Sequence, residues 1–147
     1  MTRPLLLAAA LALPLAACQP GPEGPNGTTR DTAGDAFSAI GPEETVQFTG
    51  TEPFWGGKVA GSTLTYSTPE NVDGMTITVE RFAGNNGLGY SGTLEGRSFD
   101  MAITPGECSD GMSDRTYPFT VTLKIGEEQR SGCAWTEKTP FTGPEHP

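Results

Sequence analysis

The chain has 147 residues, with 18 acidic against 9 basic side chains, a net charge of −9 and one histidine. An isoelectric point near 4.4, with no basic cluster, argues against nucleic-acid binding and against charge-driven attachment to anionic lipid. A cationic partner would suit such a surface, although acidity also serves solubility alone.

Met1-Thr2-Arg3 leads into an apolar run from Leu5 to Leu15, broken only by Pro14. That run falls short of the about 20 apolar residues a membrane-spanning helix needs. With the small residues that follow it, residues 1–17 read as a secretory signal peptide. The cut site, Leu15-Ala16-Ala17-Cys18, resembles a bacterial lipobox. The resemblance implies that Cys18 is acylated and becomes the first residue of the mature protein. The acyl chains so implied exceed the two signals that stable anchoring takes. Gln19 follows Cys18 where an aspartate would hold such a protein at the inner membrane. The expected location is therefore the cell envelope, lipid-anchored and periplasm-facing, with the outer membrane favoured.

Residues 18–43 are rich in proline and glycine and poor in large apolar side chains. Such a stretch cannot bury enough surface to offset its ordering entropy, so a disordered tether is expected. As a flexible coil it would span about 25–30 Å. Phe37 and Ile40 are its exceptions, and are expected to pin its end to a folded domain over 44–140. A flexible tail, 141–147, would follow.

Within the domain, short alternating segments succeed one another. Val46 and Phe48 share one face, Phe54, Trp55 and Val59 surround Gly56-Gly57, and Leu64 alternates to Tyr66. Residues 68–74 read as a loop of turn formers. Met75, Ile77 and Val79 alternate, and Gly84-Asn85-Asn86-Gly87 signals a turn. Leu88–Leu94 continues as strand; Phe99, Met101 and Ile103 follow, ending at Thr104-Pro105-Gly106. Segments 117–125 and 128–135 close the series around Gly126-Glu127. Period-two alternation with one apolar face marks antiparallel sheet, and no amphipathic helix interrupts it. About eight such strands predict an all-β domain, a small closed barrel that removes exposed edges, with a two-sheet sandwich as the alternative.

Once Cys18 is acylated, Cys108 and Cys133 form an even pair in an oxidising compartment, which predicts a disulfide. Pairing of the last two strands would put Cys133 opposite Phe119 or Thr120. Cys108 is expected to reach it by the 109–116 loop folding back across the strand.

Gly50-Thr51-Glu52-Pro53-Phe54-Trp55, and the run from Cys108 through Asp110, Asp114, Arg115 and Tyr117 to Phe119 with Gly132-Cys133-Ala134, resemble an uncharacterised family of proteobacterial lipoproteins and predicted membrane-associated proteins. The likeness covers roughly 46–135 and implies export without an established activity. In size, anchor and all-β build the chain is more distantly similar to membrane-bound inhibitors of c-type lysozyme. Those carry a Ser-Gly-x-x-Tyr loop and a Lys-Gly loop. Here Thr93-Leu94-Glu95 follows Ser91-Gly92, and there is no Lys-Gly pair.

The single histidine, His146, sits next to the last residue, a poor place for a general base. The two domain cysteines lack zinc spacing, and no glycine-rich phosphate loop opens a helix. No metal, no cofactor and no enzymatic activity are therefore expected. Glu107, Asp110 and Asp114 cluster without the alternating oxygen ligands of a calcium loop. They could pair for glycoside hydrolysis or serve a binding site. Alternatively they are structural, with Asp110 accepting its own turn's amides and Asp114 or Glu52 pairing with Arg115. Trp135 is expected to pack on the disulfide. Trp55, beside two glycines, is expected to face solvent, so Glu52, Trp55, Asp110, Asp114, Arg115 and Tyr117 form the candidate binding set. The expected function is a non-enzymatic binding or interaction module of the envelope, its partner a protein or cell-wall fragment. A ligand-free structural lipoprotein and a lysozyme-inhibitor-like barrel are the alternatives.

Overall fold

The computed structural model describes residues 36–144. Cys18, the signal segment, His146 and most of the tether lie outside them. Eight strands follow in order: β1 (Val46–Gly50), β2 (Trp55–Ala60), β3 (Thr63–Thr68), β4 (Asn71–Ala83), β5 (Leu88–Leu94), β6 (Arg97–Cys108), β7 (Tyr117–Ile125) and β8 (Glu128–Thr136). Each pairs antiparallel with the next, and β1 also pairs with β8, from Val46↔Thr136 to Thr49↔Cys133. The sheet is thus a closed barrel and not a sandwich.

Alternation decides which face each strand buries. Along β7, Tyr117, Phe119, Val121, Leu123 and Ile125 are buried, while Thr122 and Lys124 are exposed. The same parity places Phe99, Met101 and Ile103 of β6 inside. Phe48, Trp55, Tyr66 and Phe99 form a chain of rings through the interior, with centroids 5.9, 6.2 and 6.0 Å apart. Such tilted and edge-on contacts add to simple burial. The buried Tyr66 hydroxyl accepts a hydrogen bond from Arg130 Nη1 at 2.6 Å, and Arg130 pairs with Glu128 at 2.7 Å.

The hairpin turns carry the residues their geometry needs. Glu95 and Gly96 both have positive φ, 49° and 78°, as a two-residue turn of the primed kind requires. Strands run further than their composition suggests at two places. Asn71–Gly74, expected as loop, begins β4, because the turn closes on Pro69-Glu70 alone. Beyond Thr104, β6 runs on through Pro105 and Gly106 to Cys108, with a register shift between Pro105 and Cys108. A proline is tolerated in a sheet at such an irregularity.

The folded unit also extends past both expected limits. Ile40 is 1% exposed within the core, and Phe37 packs against it. Phe37 N–H donates to the Gly84 carbonyl at 2.7 Å, and Arg81 Nη2 to the Ile40 carbonyl at 2.9 Å. The end of the tether is therefore pinned, as Phe37 and Ile40 suggested, and residues 36–43 are not a free linker. At the other end, Thr142 exchanges two 2.9 Å backbone hydrogen bonds with Thr116. Residues 141–144, expected as flexible tail, are docked on the barrel.

Candidate functional site

Two stretches after β1 and β6 meet on the outer wall. Cys108, the last residue of β6, is bonded to Cys133 in β8, with Cα atoms 5.6 Å apart. Thr120 of β7 lies opposite Cys133, one of the two expected registers. The bridge therefore joins strands that are not neighbours, across β7. Its route differs from the expected one: the bulge at the end of β6 brings Cys108 over, and the 109–116 loop departs only afterwards. That loop reaches the turn after β1, where Thr51 Oγ1 donates to the Asp110 carbonyl at 3.1 Å. The disulfide closes a loop of 25 residues and so restricts the unfolded chain.

Asp110 organises the loop. Its Oδ1 accepts from the Met112 and Ser113 amides at 3.0 and 2.8 Å. Its Oδ2 accepts from the Ser113 hydroxyl at 2.8 Å and the Tyr117 hydroxyl at 3.0 Å. Burial alone would push this carboxyl up. The four donors outweigh it and bring it down from an ordinary 3.8 to about 2. A carboxylate so held stays ionised at neutral pH and has both oxygens engaged, which suits neither a general acid nor a base. The amide-accepting role anticipated from the Asp-Gly turn is the one Asp110 plays.

Beneath the loop lies a second, smaller apolar cluster. Tyr117 is fully buried, and its ring centroid stands 5.3 Å from Trp135 and 5.6 Å from Phe141. Trp135 meets Phe141 edge-on at 5.7 Å. The Arg115 guanidinium lies 4.4 Å over the Phe141 ring, and its Nε donates to the Pro144 carbonyl at 2.8 Å. Cation–π contact and carbonyl acceptance hold the C-terminal segment against the loop. Arg115 and Tyr117, two candidate binding residues, thus tie down neighbouring chain. Asp114 is exposed, and its carbonyl lies so close to Gly143 that a Cβ there would stand 2.5 Å away.

Trp55 departs from expectation. It is 4% exposed and points into the core. A Cβ on Gly50 would fall 2.2 Å from its ring, and one on Gly132 2.9 Å. A Cβ on Gly57 would meet the Phe48 ring at 2.8 Å. These glycines make room for large rings inside the barrel, not for a ligand outside it. What faces solvent instead is Phe54, 54% exposed, with Val72, 79% exposed. Both line a depression of about 320 Å³ that reaches Trp55 and Pro69. Glu52, exposed in the same turn, has φ of 61°, a left-handed conformation that non-glycine residues rarely adopt. A further depression of about 490 Å³ lies between Thr51, Ser109, Asp110, Thr120 and Ser131.

Sequence reasoning passed over Val72, Phe82 and Met112, all exposed apolar side chains. Parity was the available signal for Phe82, an even-numbered position in a strand whose inward residues Met75, Ile77 and Val79 are odd. Among the described residues, no three His, Cys, Asp or Glu side chains converge in a way that could hold a metal ion. Neither family models, nor characterised proteins, nor solved structures match this chain.

Proposed function

We propose that the protein is a lipid-anchored binding module of the cell envelope, held through Cys18 and facing the periplasm, with no catalytic role. The support for a contact surface is one observation: Phe54 and Val72 stand exposed around the depression beside Trp55. The turn that presents Phe54 is fastened by Thr51 to the Asp110 loop, which the disulfide fastens to β8. Preorganised presentation of an apolar side chain lowers the ordering cost of binding. The acid surface suits a partner with a cationic rim. A purely structural role is the second reading, favoured by the interior being filled with side chains.

Two measurements test this. A photo-crosslinking residue placed at Phe54 or Val72 in intact envelopes should give a discrete adduct that Thr76, on the outer face of β4, does not give. Cys18→Ser should abolish partition of the protein into a detergent phase. No adduct from either position would favour the structural reading, and undiminished partition of the serine variant would remove the anchor.

A further inference from the structure

On the wall formed by β4 to β8, strand register sets two parallel outward rows. One runs Phe82, Gly89, Ala102, Thr122; the other runs Glu80, Ser91, Asp100, Lys124, Gln129. Adjacent rows two residues apart along a strand are about 7 Å apart. Phe82 is 70% exposed. Gly89 and Ala102 beside it present little or no side chain, so the floor next to the ring is low. Residues of both rows line a depression of about 410 Å³, a volume suited to a small ligand. Asp100 and Lys124 face each other in register, yet form no ion pair with one another or with another described residue. Ser91 and Gln129 likewise make no side-chain hydrogen bond to another described residue.

We propose that this wall binds a sugar ring of a glycan. The chemistry of the two rows selects that occupant. A pyranose has a face of C–H groups that packs on an aromatic ring, and a rim of hydroxyls that both donate and accept. Beside the apolar row, lining the same depression, stand an acceptor in Asp100, a donor in Lys124, and groups that do both in Ser91 and Gln129. A protein partner fits less well, because one ring and two small residues fall far below the about 800 Å² per side of a stable interface. An added peptide strand has no edge to pair with in a closed barrel. Anionic lipid headgroups would meet Asp100 with like charge. This site lies on a different wall from the Phe54 surface, and it stands or falls independently of that surface and of the anchor.

The test is an NMR titration of the isotope-labelled full chain in detergent, with chitotetraose and with cellotetraose as probes. At least one should shift the amides of Phe82, Gly89, Ala102 and Lys124 in a saturable way. Phe82→Ala should weaken binding about tenfold or more, as loss of a central aromatic anchor does, with the melting temperature unchanged. Gly89→Val is the companion variant: a Cβ there meets its nearest atoms, all of Phe82, at 3.9 Å. It should leave the fold intact and raise the floor, removing binding while Phe82 stays in place. Absence of shifts with both sugars at millimolar concentration would overturn the proposal. So would binding that survives both variants, shifts centred on Phe54, or signals at Phe82 that change only through self-association.

Discussion

Asp110→Asn isolates what the loop carboxylate contributes. In the wild-type protein Asp110 accepts four hydrogen bonds, which lower its carboxyl from 3.8 to about 2. A depression of that size corresponds to at most about 2 kcal/mol of folding stability at neutral pH, since solvent screens a partly exposed carboxylate. The folded value lies below the unfolded one, so this contribution is complete above pH 3.8 and is lost as pH falls through about 2. Asparagine keeps one acceptor but presents an NH2 group to the donor hydroxyls of Ser113 and Tyr117. The variant should therefore be less stable by up to about 2 kcal/mol at pH 6, a drop in melting temperature of up to about 10 °C. Thermal melts of both proteins at pH 6, 4, 3 and 2 would show the gap narrowing only below pH 4. Taking the difference removes the other acidic groups, which titrate alike in both chains. Equal melting at pH 6, or a gap that persists unchanged to pH 2, would refute the assignment of Asp110 as a carboxylate held by its own loop.

The double variant Cys108→Ala, Cys133→Ala should lose about 3.5 kcal/mol, the chain-entropy value for a 25-residue loop, measured by urea titration. A midpoint within error of wild type would show that the bridge adds nothing the barrel lacks. Gly132→Ala should cost about 1–3 kcal/mol, since its Cβ would fall 2.2 Å from the Thr49 carbonyl and 2.9 Å from Trp55. Its tryptophan emission should shift as the Trp55 ring is displaced, and unchanged emission and stability would contradict the packing described. Ile40→Ala should cost about 2–5 kcal/mol and speed amide exchange at Phe37, whose N–H is bonded to Gly84. Exchange at Phe37 as slow as in the wild type would mean that the segment is held by something other than the Ile40 side chain.

The architecture was legible because period-two alternation is written directly in the residues. Val46 and Phe48, or Phe119 through Ile125, each declare one face of a strand, and turn formers between such runs declare antiparallel hairpins. The expectation of export, together with an even cysteine pair, likewise made the 108–133 disulfide readable from the residues. Closure of the sheet was a preference at that level. Only the pairing of Val46 with both Val59 and Thr136 made it a barrel. Side-chain surroundings were not legible at all where they depend on contacts distant in sequence. Trp55 beside Gly56 and Gly57 reads as open space along the chain, but the ring turns inward and is accommodated by Gly50 of β1 and Gly132 of β8. Phe141 reads as tail until Tyr117, Trp135 and Arg115 are brought around it. Phe82 and Asp100 are 18 positions apart, and the β4–β5–β6 register alone sets them on one wall. Local sequence determines which face a residue takes on its strand. Which other faces meet it is determined by register and closure, and these depend on the whole sheet at once.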